Sequence, residues 1–197
     1  MRFPFSCLAF YSAGLLISAS QAVYSASPVI TNGVAAVAAG DGFTAYLEAN
    51  GSLYIAGNNQ SGQLGDGSTT SRSTFGFVTS DVSLIACGTN YILFVKTNGS
   101  LWGMGDNYFG QFGDGSTTGS SLPKQILASG VADVSAGAGH SLILKTDGSL
   151  WSAGLNISGQ LGDDSTVDRS DPLRVVDSAV VSASAGENHS LFVKADG

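Results

Sequence analysis

The sequence predicts an all-β fold of radial blades, each made of four short antiparallel strands, on three observations. Gly40, Gly88, Gly137 and Gly186 recur at intervals of 48, 49 and 49 residues, so one unit is laid down repeatedly. Each of the first three units holds an Asn-Gly or Asp-Gly pair, at Asn50-Gly51, Asn98-Gly99 and Asp147-Gly148, between runs of β-formers. Such a pair between strands marks a tight hairpin. No segment of the repeat keeps a helical period, and 27 glycines in 197 residues describe a chain rich in turns. A unit of this length and composition fits one blade of a propeller better than one turn of a helical solenoid.

The third unit shows the elements in order. Val131 to Ala136 reads as the first strand, Ser141 to Thr146 and Ser149 to Ala153 as the hairpin, and Leu173 to Val176, after Pro172, as the fourth strand. The hairpin turn is expected to be type I′, with positive φ at both the Asn or Asp and the Gly. The Gly-rich GQLGD stretch makes the long connection before the last strand. Applied along the chain, this gives units at 34–81, 82–130 and 131–179 and a partial unit at 180–197, which is roughly 3.3 blades.

Columns of the repeat assign roles. Tyr54, Trp102 and Trp151 share a column on the second hairpin strand and are expected to fill the space between blades. Gln63, Gln111 and Gln160 stand between glycines, where their amides are expected to bridge backbone groups. Cys87 shares its column with Ala39, Ala136 and Ala185, which predicts a small packed side chain, not a nucleophile.

The first residues differ from the repeat. Met1 to Ala22 carries a single charge, Arg2, then an apolar run from Leu8 to Ile17 and small residues at Ser20 and Ala22, the layout of a secretory signal. The apolar run is short of the roughly 20 residues a membrane span needs, so an N-terminal anchor is the weaker reading. The expected order is a signal at 1–22, a linker at 23–33 and repeats from 34, in a secreted or cell-surface protein with no membrane span after cleavage. Removal of Cys7 with the signal leaves Cys87 alone, so the mature chain has no internal disulfide.

Charge excludes some partners. With Lys+Arg 8 against Asp+Glu 15 the net charge is -7, unsuited to binding nucleic acid through its phosphates. His140 and His189 fall one repeat apart, in the column of Phe43 and Tyr91, and read as packing residues without the companions of a zinc site. Asp66, Asp114, Asp163 and Asp164 follow the GQLG or GQFG turn. They read as turn-holding carboxylates, with a calcium loop as the alternative that lacks its spacing. No GxSxG elbow, phosphate loop or dinucleotide fingerprint occurs, so no catalytic residue, cofactor or metal is expected. Asn50, Asn59, Asn98, Asn156 and Asn188 each begin an N-x-[ST] sequon.

At GQLGDGST and HSLILKTDGSLW the chain resembles the repeats of the regulator of chromosome condensation family over Val34 to Gly197. The resemblance implies seven-bladed β-propellers, among which are a nuclear exchange factor for a small GTPase and secreted bacterial inhibitors of β-lactamases. Too few repeats are present for seven blades, and the chain stops at the turn glycine Gly197. An N-terminal fragment of a longer protein is therefore expected, with self-association to close the ring as the alternative. The functional expectation is a secreted or surface-exposed module that binds a protein through the loops of one face. Anchors are sought at Tyr91, Tyr108, Phe109 and Arg169, because aromatic residues and Arg dominate interfaces. The alternative is a regulator of a small GTPase that exchanges its guanine nucleotide.

Overall fold

The structure is a computed structural model that describes residues 33–197. The signal read at 1–22 and, Gly33 excepted, the linker read at 23–33 lie outside the described residues. Strands follow one another as β1 (Val34–Ala39), β2 (Phe43–Glu48), β3 (Leu53–Gly57), β4 (Arg72–Thr79), β5 (Val82–Cys87), β6 (Tyr91–Lys96) and β7 (Leu101–Gly105). They continue as β8 (Ser120–Leu127), β9 (Val131–Ala136), β10 (His140–Lys145), β11 (Leu150–Gly154), β12 (Arg169–Val176), β13 (Val180–Ala185) and β14 (Ser190–Lys194). Consecutive strands pair antiparallel in three four-stranded sheets, β1 to β4, β5 to β8 and β9 to β12, followed by the two-stranded sheet β13-β14. The architecture is an all-β, incomplete propeller, with no helix among the described residues long and apolar enough to cross a membrane.

Alternation along the strands builds the seams between sheets. Ala45, Leu47, Leu53 and Ile55 of the first sheet are buried against Ile92, Phe94 and Met104 of the second. Leu93, Val95 and Leu101, on the opposite face of that second sheet, pack with Val134 and Ile143 of the third. Leu142, Leu144 and Leu150 then meet Val180 and Ala183. Each sheet is therefore apolar on both faces, one for each neighbour, and this is how so short a strand can be nearly all buried. Trp102 lies half-buried at the first seam and Trp151 at the second, so the aromatic column fills the inter-blade space as expected. Each indole Nε1 donates to the Ser two residues earlier, Ser100 or Ser149, at 2.9 Å.

Two local expectations need correction. The hairpin turn is not type I′: Gly51, Gly99 and Gly148 have positive φ, of 86°, 78° and 79°, but Asn50, Asn98 and Asp147 are not among the positive-φ residues. Gly51 N–H donates to Glu48 C=O and Glu48 N–H to Ser52 C=O, both at 2.9 Å, which describes a three-residue loop with the glycine as bulge. The Asn or Asp side chain instead accepts the N–H two residues on, Ser52 at 2.8 Å, Ser100 at 3.0 Å and Ser149 at 2.9 Å. The fourth strand also starts earlier than expected, at Arg169 in the third sheet, upstream of Pro172. Proline is accommodated there because β12 is an outer strand.

Candidate functional site

Two sets of loops emerge at opposite ends of the sheets. Hairpin turns and the links between sheets occupy one end, joined where Val82 N–H donates to Gly51 C=O at 3.0 Å. The other end carries the short β1-β2, β5-β6 and β9-β10 turns and the long connections 58–71, 106–119 and 155–168. Those long connections hold no regular structure, so their backbone groups need other partners.

The partners come from one buried asparagine per unit, a role that sequence reasoning missed. Asn59, Asn107 and Asn156 are fully buried. In the second loop Asn107 Nδ2 donates to Ser116 C=O at 3.0 Å and Thr118 C=O at 3.2 Å, while Oδ1 accepts Phe112 N–H at 2.8 Å. Asn59 and Asn156 repeat the pattern with Leu64 and Leu161. The signal is an Asn four residues before each Gln; of the three, Asn59 and Asn156 also read as glycan acceptors from their N-x-[ST] sequons. Burial corrects that reading: neither amide can carry a sugar, whereas Asn50, Asn98 and Asn188 are exposed. The glutamines do part of what was expected, each Oε1 accepting the N–H two residues earlier, at 3.0 Å from Ser61, 3.0 Å from Phe109 and 2.9 Å from Ser158.

The loop carboxylates are bound up in the same way. Asp66, Asp114 and Asp163 each accept the N–H and Oγ–H of the Ser two residues later. Each also pairs with a cation, Arg72 at 3.3 Å, Lys124, and Arg169 at 2.5 Å. Burial pushes the Asp163 carboxyl up, but the Arg169 and Ser165 bonds outweigh it and hold the acid down at about 2. These are the contacts of turn-holding residues.

Toward the propeller axis, Phe43, Tyr91 and His140 are buried, each ring lying where a Cβ on Gly40, Gly88 or Gly137 would fall, 2.0 to 2.4 Å away. Only glycine permits that approach. Tyr91 O–H donates to His140 C=O at 2.6 Å across the second seam, so Tyr91 is a core residue and the expectation of an exposed anchor there is corrected. Ser190 O–H donates to Gln160 C=O at 2.7 Å, so the 3.0 Å contact of its oxygen with His140 Nε2 is accepted from a ring N–H. Cys87, expected to be buried, is half-exposed and with Ala39, Ala136 and Ala185 lines an axial groove of about 260 Å³.

Tyr108 and Phe109 remain on the surface. Tyr108 is 73% exposed, and its ring meets that of Phe109 edge to face at 5.1 Å. With Thr117 of the same loop and Asp168 and Ser170 of the next unit they line a groove of about 580 Å³ over the second seam. Close backbone packing holds its two walls together: Gly115 N–H donates to Ser170 C=O at 3.0 Å, and a Cβ on Gly110 would lie 2.5 Å from Ser170 Cα. Exposed Ile157 and Val167 stand on the neighbouring loop. Arg169 is not on a loop but opens β12, and its guanidinium is held by Asp163.

A repeated four-stranded blade with these buried loop asparagines defines a propeller repeat protein. The family model of the regulator of chromosome condensation (RCC1) repeat matches residues 50–95, 98–144 and 147–193, and a second model of the same repeat matches 34–63, 82–111 and 131–160. The chain belongs to that family. No curated protein sequence matches it. Among solved structures it is similar to Prp20p of Saccharomyces cerevisiae, studied for its binding to Gsp1p and histones, at 21% identity and TM-score 0.69 over 82% of this chain and 44% of that one. It is similar to the structure of Kap60 bound to yeast RCC1 (Prp20) at 26% identity and TM-score 0.72, over 83% of this chain and 40% of that one. Human WBSCR16 follows at 19% identity and TM-score 0.59, over 86% and 60%. The chain thus spans less than half the length of the yeast structures.

Proposed function

We propose that this chain is a secreted or surface-exposed propeller module that docks a protein partner on its long-loop face and performs no chemistry of its own. The observation that carries the reading is the Tyr108–Phe109 pair, an exposed aromatic anchor mounted on a loop whose backbone is fixed by the buried Asn107. Rigid presentation of an aromatic lowers the entropy lost on binding. The yeast neighbours support it, since Prp20p was studied for its binding to Gsp1p and histones and yeast RCC1 was solved bound to Kap60.

Photocrosslinking tests it. A benzophenone amino acid at position 108 is expected to capture a discrete partner that the same group at Asn98, at the opposite end of the sheets, does not. Equal capture from both positions, or none from position 108, would overturn the reading. Protease shaving of intact cells checks the location, since a surface module is degraded while a cytosolic control survives. A second reading, regulation of a small GTPase by nucleotide exchange, is favoured by the likeness to Prp20, and acceleration of nucleotide release by this chain would establish it.

A further inference from the structure

We propose that the groove over the second seam is a subsite for an arginine or lysine side chain of the partner, an inference that rests on the binding reading above. Its lining is an aromatic pair, two hydroxyl residues and one carboxylate: Tyr108, Phe109, Thr117, Ser170 and Asp168. An aromatic face beside a carboxylate is the chemistry that accepts a cation, through the ring quadrupole and charge together.

This lining is particular to the second seam. At the first seam the columns of Tyr108 and Phe109 hold Gln60 and Ser61, and that of Asp168 holds Gly119. The corresponding position in the first unit is Ser71, whose Oγ accepts Asn59 N–H at 3.1 Å. Asp168 Oδ1 does the same for Asn156 N–H at 2.7 Å. A hydroxyl therefore suffices for the structural bond, and a carboxylate brings a charge the loop does not need.

Charge on the long-loop face points the same way. Arg72, Lys124 and Arg169 are each paired with a loop aspartate of their own unit. Lys96 and Lys145 stand at the opposite, hairpin end, over Trp102 and Trp151 at 5.2 Å and 5.8 Å from the ring centroids. Among the described residues no ion pair supplies a cation to Asp168, Asp106 or Asp171, which leaves the charge of this edge open to a partner.

Fluorescence anisotropy of a labelled peptide of alternating Arg and Gly, with a Glu and Gly peptide as its control, tests the proposal on the full chain. Asp168→Asn keeps the Oδ1 acceptor for Asn156 and removes only the charge, so the loop stays folded. It is expected to weaken the Arg peptide about threefold to fivefold, the size of an exposed charge pair. Tyr108→Ala should cost a similar factor while Tyr108→Phe retains binding, because the ring face persists. Glu187→Gln, an equal charge change beside the axial groove, should leave binding unchanged. Equal loss in Glu187→Gln and Asp168→Asn would reduce the effect to overall charge and overturn the proposal, as would equal binding of the Glu peptide or no binding of the Arg peptide. A partner captured from position 108 but indifferent to Asp168→Asn would sink this inference and leave the module reading standing.

Discussion

At the scale of single residues, four positions carry more than their neighbours. Asn107 satisfies at least three backbone groups from inside the fold. Asn107→Ala leaves those groups buried without partners and should cost about 3 kcal/mol, at about 1–3 kcal/mol for an orphaned buried group; chemical denaturation would register this as a lower midpoint at unchanged slope. Ala179 links the third sheet to the next at φ 67°, where the equivalent Gly130 has φ 83°. A side chain in the left-handed region costs about 1–2 kcal/mol and the added chain freedom of a glycine about 0.5–1 kcal/mol, so Ala179→Gly is expected to stabilise by about 0.5–1 kcal/mol, the difference between the two. His140 makes stability depend on pH. Burial, and then the neighbouring His189, push its ring from 6.5 down to about 4. The unfolded chain therefore binds the proton first, and stability falls as pH drops from about 6.5 to 4, by up to about 1.4 kcal/mol per pH unit. Asp163 adds a second loss as pH falls from 3.8 to about 2, because in that window the unfolded carboxylate takes up a proton that the ion-paired native one does not. Thermal melts of His140→Phe, a residue the column accepts at Phe43, should lose the upper window and keep the lower.

At the scale of elements, legibility divides by whether a feature repeats within the sequence or arises between units. The four strands, the hairpin and the Trp column were legible because each recurs at a fixed interval and depends on side-chain type alone. Turn type was not, since Asn-Gly serves both a type I′ turn and a bulged three-residue loop, and only the register Glu48 to Ser52 separates them. Nor was Tyr91: an aromatic beside a turn looks like an anchor until the next sheet supplies His140 C=O as its partner. Arg169 misled for a related reason, because its counter-ion Asp163 sits six residues back across a loop whose path the sequence does not disclose. Tyr108 was found because no structural demand explains an aromatic in the column of Gln60 and Ile157. Seam glycines give the sharpest element-level prediction. Gly110 has φ 80° and its absent Cβ would strike Ser170 backbone, so Gly110→Ala must both strain the loop and part it from β12. A loss of about 2–3 kcal/mol in denaturation is expected, whereas Gly162→Ala, at φ 71° with nothing within 4 Å of its Cβ, should lose only the smaller cost of the backbone.

At the scale of the whole molecule, the two faces that no described sheet covers are the two halves of an ordinary seam. Tyr46 and Tyr54 of the first sheet occupy the columns of Phe94 and Trp102, which inside the chain are covered by the preceding sheet. They stack at 4.9 Å and are extended outward by Phe75 and Phe77, the latter 57% exposed. Leu191 and Val193 of β14 occupy the columns of Leu93 and Val95, which inside the chain bury themselves against the following sheet; here Leu191 is 66% exposed. Repeat proteins draw their stability from such nearest-neighbour contacts, and open apolar sheet faces seek a partner. We infer that further repeats of the same protein cover these faces in the cell, and that the isolated chain substitutes a second copy. Light scattering across a concentration series should show the mass of the 19.9 kDa chain rising. Phe77→Ser and Leu191→Ser, each removing apolar surface from one of the two faces and touching none of the internal seams, should each hold the chain nearer its monomer mass. A wild-type chain that stays monomeric at every concentration would mean that its terminal sheets tolerate water, and the seam-sharing account of these aromatic and leucine columns would fall.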